Sequence, residues 1–150
     1  MVDAGLNRLG SVLSLQLKPR HGELLAVEEL EAIAGQGIVG DYSFSKSARQ
    51  VSMVSQSELR QFGYAPGQLR ENVTVDFEGL QSLAIGSVLK IGEVELEIES
   101  DCAPCASMAR MLFEDPQEFV MKMKGKRGML AKVRRSGTIR VGDVVDLDAG

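Results

Sequence analysis

Hydrophobic and polar residues alternate along several short stretches of the chain, and a period of two predicts β-strands. The alternation is clearest from Gly10 to Lys18, from Arg49 to Ser55, and in the NVTVDF stretch that begins at Asn72. Between Leu83 and Ser100 it predicts two or three further short strands separated by glycine turns. The pattern therefore predicts a mainly β chain.

Two short helices are predicted from their start signals. Ser55 begins an S-Q-S-E capping-box pattern, which predicts a helix to Phe62. The D-P-Q-E pattern that begins at Asp115 predicts another helix to Lys124. The stretch from Leu24 to Ile33 has helical spacing but begins like a strand, so both alternatives stay open.

Long polar and glycine-rich stretches separate these elements. GQGIVGDYSFSKSA, from Gly35 to Ala48, is predicted to be a loop, and a loop of that length in a compact domain is usually functional or mobile. MLAKVRR, a turn at Ser136-Gly137 and TIRVGDVVDL are predicted to complete the chain as a hairpin. Many short strands with two or three short helices predict a mainly β (α+β) fold, a closed or partly closed barrel of mostly antiparallel strands.

Size and charge narrow the class of protein. The 150 residues fit a single domain, residues 1–150, and the net charge of −4 argues against a nucleic-acid-binding surface. No run of about eighteen apolar residues and no secretory signal are visible, so we expect neither a membrane span nor export. The two cysteines are three positions apart, so a disulfide between them would be too local to stabilise the fold. The absence of a structural disulfide pattern favours a cytoplasmic protein. The oligomeric state is left open.

One segment of the chain is strongly basic, although the protein as a whole has a negative net charge. KMKGKRGMLAKVRR, from Lys122 to Arg135, holds seven of the seventeen basic residues. It is interpreted either as a solvated strand pair and loop or as an anion site for a phosphate-bearing ligand.

The cysteine segment, Asp101-Cys102-Ala103-Pro104-Cys105, carries most of the chemical information. Cys105 directly precedes ASMARML, a predicted short helix, and the positive end of a helix favours a thiolate. Asp101 makes a second negative charge at Cys102 less favourable. Cys105 is therefore the predicted reactive thiol and Cys102 the runner-up; the alternative is that both are small buried hydrophobic residues. Two cysteines and a distant His21 do not supply the four ligands of a structural zinc site.

Arg70-Glu71-Asn72 is a charged trio that enters a strongly apolar strand. It is interpreted either as a cluster at the barrel rim or as a guanidinium and an amide that face a polar ligand. Because Arg70 and Asn72 are two residues apart, a strand that begins by Arg70 would place both on one face, toward a pocket shared with Arg49. His21, in a proline–glycine turn, is predicted to be a solvated loop residue.

Four segments, in order, resemble the MOSC family, named after the C-terminal domain of molybdenum cofactor sulfurase. In the first, a Gly-Asp pair at Asp41 precedes a polar loop and Arg49 opens a strand. The other segments are APGQLRENVTV, LAIGSVLKIGEVELEIESDCAPC and the closing GKRGMLAKVRRSGTIRVGDVV. The resemblance extends from Gly10 to Leu147.

This resemblance implies a MOSC-type β-barrel with a pocket for molybdenum cofactor (molybdopterin), a pterin dithiolene that bears a phosphate. It also implies a cysteine that ligates molybdenum or receives sulfane sulfur from a sulfur-donor protein. Cys105 matches that cysteine best, since it follows a proline and precedes a short helix. The candidate cofactor-binding residues are Asp41, Arg49, Arg70, Glu71 and Asn72.

The chain departs from the family pattern after the Gly-Asp pair, where relatives often place a histidine and this chain has Tyr42 and Ser43. Whether it is an enzyme stays open: a molybdenum-dependent reductase of N-hydroxylated substrates and a sulfur-transfer protein are both compatible. The alternatives are a non-catalytic cofactor-binding or protein-interaction barrel and a barrel with structural cysteines. Pyridoxal phosphate belongs to the desulfurase domain fused to sulfurases, and no pattern here calls for it.

Overall fold

The structure, a computed structural model, describes residues 5–148. Within that range the chain forms eleven strands, three α-helices and a single 3-10 turn at Leu80–Ser82. The strands are β1 (Leu6–Leu17), β2 (Leu25–Val27), β3 (Glu29–Ile33), β4 (Gly37–Ile38), β5 (Val51–Ser55), β6 (Val73–Val75), β7 (Val88–Ile91), β8 (Val94–Asp101), β9 (Met129–Arg135), β10 (Gly137–Arg140) and β11 (Val144–Asp148). The helices are α1 (Gln56–Phe62), α2 (Ala106–Met111) and α3 (Pro116–Met123).

Seven of the strands form a closed barrel. Around the ring the order is β1, β11, β7, β8, β9, β5 and β6, and β6 pairs again with β1, while β2 extends the sheet on β1. All neighbouring pairs in the ring are antiparallel except β5 and β6, which run parallel. The predicted mainly β barrel with two or three short helices is confirmed.

The barrel closes because its strands present apolar side chains to one interior. In β8, Val94, Leu96 and Ile98 are buried while the residues between them are partly exposed. Strands β10, β3 and β4 form a separate small sheet, and its buried residues, such as Leu30 and Ile139, belong to the same apolar cluster. One continuous core therefore lies inside the barrel and beneath the small sheet.

The helices lie against a second apolar cluster that includes Val54 of β5, Leu59 of α1 and Phe119 of α3. Both predicted helix starts are confirmed. Asp115 caps α3 by accepting a hydrogen bond from the Glu118 backbone N–H, with proline in the first turn. Ser55 caps α1, although its Oγ accepts from the N–H of the second helical residue rather than from the third, as a capping box would require. No helix within residues 5–148 is long and apolar enough to cross a membrane.

Two sequence predictions need correction or completion. The stretch from Leu24 to Ile33 is extended: it forms β2 and β3, because β2 pairs with β1 and β3 pairs with β10. The predicted closing hairpin is wrong, because β9 lies in the barrel between β8 and β5 while β10 leaves it for the small sheet. No turn forms at Ser136-Gly137: Ser136 alone separates β9 from β10, and its Oγ accepts a hydrogen bond from the Ala34 backbone N–H at 2.8 Å.

Candidate functional site

The parallel pair β5 and β6 brings two arginines to the same end of the barrel. Arg49 lies two residues before β5, and Arg70 lies three residues before β6. Both have a positive φ, 62° and 59°, a conformation that costs a residue with a side chain on the order of 1 kcal/mol or more. Such strain persists only where the surrounding structure imposes it, and it is concentrated at binding and active sites.

These arginines line a cleft of about 220 Å³. Lys18 and Arg127 also line it, and no acidic side chain does among the residues described. Four basic side chains without a carboxylate among them create a positive potential inside a partly enclosed space. The remaining lining residues are His21, Tyr42, Ser43, Ser52, Cys102, Ala103, Cys105, Ser107, Met108, Met111 and Leu130.

Arg127 is held in the cleft by the backbone that follows it. Gly128, with φ at 111°, lies so close to β5 that a Cβ there would be 2.2 Å from the Met53 carbonyl oxygen. The Gly128 carbonyl accepts hydrogen bonds from the Cys102 backbone N–H at 2.8 Å and from the Gln81 side-chain amide at 3.0 Å. The Gly128 N–H donates to the Gln81 side-chain carbonyl at 2.9 Å. Arg127 is only 6% exposed, and its Nη1 has no hydrogen-bond partner among residues 5–148. A buried guanidinium N–H without an acceptor is costly, and Arg127 carries this unpartnered group beside the cleft that it lines.

Lys18 enters the cleft at the end of β1 and is 7% exposed. Its Nζ donates to Ser52 Oγ at 3.3 Å and makes no ion pair with a described residue. Burial lowers the Lys18 pKa from 10.5 to about 8; Asp41 opposes this shift, and Arg70 and Arg127 add to it. The cleft therefore contains one cation whose charge can change near physiological pH.

A buried polar network lies directly behind the cleft. Asn72 donates to Asp41 Oδ1 at 3.1 Å and accepts from the Ser52 backbone N–H at 3.1 Å. Asp41 Oδ1 also accepts from the Lys18 backbone N–H at 2.9 Å. Asp41 and Asn72 are therefore placed to fix Lys18 and Ser52, and they do not themselves line the cleft.

Glu71 is fully buried beside this network. Its Oε2 accepts from Thr74 Oγ1 at 2.6 Å and from the Gly67 backbone N–H at 2.9 Å, while Oε1 has no partner among the described residues. Burial raises the Glu71 pKa; its two hydrogen bonds and the charge of Arg127 partly oppose the rise. The three residues predicted to act together are thus divided: Arg70 lines the cleft, whereas Glu71 and Asn72 are buried behind the cleft. Arg70 also precedes β6 in a left-handed turn, so the two-residue period of a strand does not apply to it.

Both cysteines are free and line the same cleft, in different environments. Cys102 is 2% exposed, and its Sγ lies 3.9 Å from Arg49 Nη2. Cys105 is exposed and is the N-cap of α2, without a side-chain capping bond. No group of three or more His, Cys, Asp or Glu side chains within the described range could hold a metal ion. The protein can therefore offer a metal one or two sulfurs, and a bound metal would need further ligands from a cofactor.

Two basic residues of the cleft, His21 and Lys18, were not predicted as site residues from the sequence. His21 is an exposed turn residue, as predicted, but it also lines the cleft, where its ring centroid lies 4.4 Å from that of Tyr42 with the two rings tilted by 41°. Lys18 ends an alternating strand, where a lysine is ordinary, and no local signal marks it as buried. The contact between His21, in the turn from β1 to β2, and Tyr42, in the loop after β4, arises only from the tertiary structure.

The basic segment from Lys122 to Arg135 combines both interpretations. Arg127 lines the cleft, as the anion-site interpretation requires. Lys132 and Arg134 instead pair with Glu97 on the surface, and Arg135 pairs with Glu95. Among the residues described, Arg127 is the one basic member of the segment that lines the cleft.

The fold and the cleft together define a class: a closed, mainly antiparallel barrel with a cationic, thiol-bearing cleft at one end. The family model of the MOSC domain matches residues 40–146, and the chain therefore belongs to the MOSC domain family, associated with proteins of the molybdenum cofactor sulfurase type. No curated protein sequence matches the chain.

Solved structures share the fold at low sequence identity. The YuaD protein from Bacillus subtilis has a TM-score of 0.82 at 23% identity, with 97% of this chain and 99% of that chain covered. YiiM from Escherichia coli has a TM-score of 0.70 at 19% identity, covering 91% and 69%. YiiM from Geobacillus stearothermophilus has a TM-score of 0.63 at 15% identity, covering 95% and 74%. These likenesses concern the fold, and the predicted MOSC-type barrel is confirmed.

Proposed function

We propose that the protein binds molybdenum cofactor in the cationic cleft, with Cys105 as the sulfur that meets the metal. The observation that carries this proposal is the convergence of four basic side chains and two free thiols on one cleft, together with the unpartnered Nη1 of buried Arg127. When bound, the cofactor would supply a molybdenum centre capable of redox chemistry.

The donors of the cleft suit the phosphate of the cofactor. Arg127 offers a free guanidinium N–H, Lys18 an ammonium, and Ser52 a hydroxyl that is already close to Lys18. Charge-assisted hydrogen bonds from such groups to a phosphate are about twice as strong as neutral ones. At about 220 Å³ the cleft is smaller than a typical ligand pocket of about 300–1,000 Å³, so a pterin-sized ligand would project from its mouth.

The two thiols have different tasks in this proposal. A soft thiolate is a suitable molybdenum ligand, and the exposed Cys105 can approach a bound metal without repacking the core. Cys102 is buried against Arg49, so it can hold that guanidinium in place without reaching far into the cleft. Asp41, Glu71 and Asn72 would orient the binding side chains from behind.

The exposure of Cys105 also favours a second candidate function, transport of sulfur. A donor protein that carries a persulfide could approach an exposed thiolate. Cys105 would attack the outer sulfur of the donor persulfide, the sulfur–sulfur bond would break, and the donor thiolate would leave as Cys105 becomes the persulfide. Cyanide-releasable sulfur on the purified protein would reveal this form.

Cofactor content is the direct test of the proposal. The protein is purified from a cofactor-producing host, and molybdenum and pterin are measured per chain for the wild type, Arg127→Met and Arg134→Met. We expect both components in the wild type, a large loss in Arg127→Met, and no loss in Arg134→Met, the matched control from the same basic segment. Equal contents in all three proteins, or none in the wild type, would refute the proposal. Turnover of an N-hydroxylated substrate by the loaded protein would then separate an enzyme from a binding module.

A further inference from the structure

We infer that Lys18 couples the binding of an oxyanion to the uptake of a proton. Lys18 binds the oxyanion only when its own side chain is protonated, so the cleft takes up a proton when the anion binds to the uncharged amine. The inference rests on the anion-binding part of the proposed function and adds a regulation to it. It assigns a role to a residue that carries no sequence motif.

The geometry around Nζ leaves Lys18 short of partners. An ammonium has three N–H donors. One of them reaches Ser52 Oγ at 3.3 Å, and the ring of Tyr42 has its centroid 5.7 Å away. No further hydrogen bond or ion pair of Nζ is present among residues 5–148. The Asp41 carboxylate, which favours the ammonium, already accepts hydrogen bonds from the backbone N–H groups of Lys18 and Ser43 and from the side-chain amide of Asn72.

Charged groups of both signs face Lys18, and none of them forms an ion pair with its Nζ. Arg70 before β6 and Arg127 before β9 both disfavour the ammonium, whereas Asp41 after β4 and Cys102 after β8 favour it. With burial as the largest effect, the pKa falls to about 8. Other titratable groups also lie around the cleft: His21, Tyr42 and Cys105 line it, and Lys46 Nζ lies 5.1 Å from the Tyr42 ring centroid.

An oxyanion in the cleft reverses this balance. It supplies the negative charge and the acceptors that Nζ and Arg127 Nη1 lack, so it favours the ammonium and raises the Lys18 pKa. By linkage, the uncharged amine must then bind one proton when the anion binds above about pH 8. Affinity is consequently constant below that pH and falls with rising pH above it.

The consequence can be measured on cofactor-free protein with sulfate, which stays a dianion across the range. Its dissociation constant is determined by NMR titration from pH 7 to 10 at constant ionic strength. The measurements use the Cys102→Ser/Cys105→Ser protein, which has no thiol in the cleft, and Tyr42→Phe is the control for the phenol. We expect sulfate affinity to fall about ten- to a hundredfold between pH 7 and 10.

Lys18→Arg is the decisive variant, because a guanidinium does not deprotonate in a protein. It should bind sulfate with little pH dependence above pH 7, while Lys18→Met should bind weakly at every pH. If sulfate binds and the pH dependence is the same in Lys18→Arg, the inference is wrong and the anion cleft remains. If no sulfate binds at any pH, the anion cleft of the proposed function fails as well. Should Lys18→Met not fold, the comparison of wild-type Lys18 with Lys18→Arg still decides.

Discussion

The barrel interior and the cleft at one end of the barrel differ in the kind of residue that they bury. Inside the barrel, buried residues such as Leu96 and Val133 are apolar and lie opposite each other in paired strands. At the cleft, Lys18 and Arg127 are buried and have hydrogen-bond donors that no described residue accepts from, and behind it one carboxylate oxygen of buried Glu71 has no partner among those residues. The first arrangement stabilises the fold, whereas the second is costly for it.

This contrast indicates where function lies. Buried polar groups that the protein itself does not satisfy, and strained backbone at Arg49 and Arg70, persist at one end of the barrel, next to both cysteines. An anion that accepts hydrogen bonds from Lys18 and Arg127 would recover part of the free energy that their burial costs. Substitutions in the two regions should therefore differ in whether they change stability or ligand binding.

The largest expected effect on stability is in the barrel. Leu96→Ala removes a fully buried side chain and leaves a cavity, so it should lower the free energy of unfolding by about 2–5 kcal/mol. Urea denaturation measures this loss, and sulfate affinity at a temperature where the variant is folded should match the wild type. A loss under about 1 kcal/mol would mean that this part of the barrel is not close-packed.

At the cleft, Arg127→Met should have the reverse effect. It removes a buried guanidinium whose Nη1 is unpartnered, and replacing a buried charge by an apolar side chain is often neutral or stabilising. We expect unchanged or greater stability in urea denaturation and an anion affinity lower by about ten- to a hundredfold, as for a lost charge-assisted hydrogen bond. A destabilised variant with unchanged sulfate affinity would show that Arg127 is a structural residue.

Glu71 should make stability depend on pH. Because its pKa is raised by burial in the folded protein, the stability that its protonated form contributes is present below the unfolded value of 4.5 and is lost as pH rises through the raised folded value. Glu71→Gln, an uncharged near-isostere, should therefore flatten the decline of the free energy of unfolding with pH above 4.5. Urea denaturation at a series of pH values provides the test, and an identical pH dependence in both proteins would contradict it.

The smallest expected effect comes from backbone strain. Arg49→Gly relieves a positive φ, so its stability should stay within about 1 kcal/mol of the wild type while anion affinity falls. Phe113→Gly is the matched control: Phe113 also has a positive φ, is 97% exposed and does not line the cleft. It should change stability similarly and leave sulfate binding unchanged. A loss of several kcal/mol in Arg49→Gly would show that the arginine is kept for the fold.

Sequence reasoning succeeded where the signal was local. Alternation located β5 and β8, and capping residues located the starts of α1 and α3, because these depend on neighbours along the chain. It failed for the closing hairpin, since the choice between pairing β10 with β9 or with β3 depends on the whole barrel. Long-range pairing leaves little trace in a single sequence.

The candidate site was predicted in part for the same reason. Arg49, Arg70 and both cysteines carry recognisable motifs, and all four line the cleft. Lys18 could not be found, because its burial arises from packing against residues distant in sequence. Asn72 has the side chain of a ligand-binding residue, but its hydrogen bonds to Asp41 and Ser52 place it behind the cleft.

The most direct test of the central claim measures bound molybdenum and pterin in wild type, Cys105→Ser and Cys102→Ser, each purified from a cofactor-producing host. We predict close to one molybdenum and one pterin per wild-type chain and a strong loss of molybdenum in Cys105→Ser. Cys102→Ser should lose less, since it changes a buried contact of Arg49 rather than the exposed sulfur. Full molybdenum content in Cys105→Ser together with its loss in Cys102→Ser would contradict the assignment of the reactive sulfur. A wild-type protein free of both components would contradict the proposed function itself.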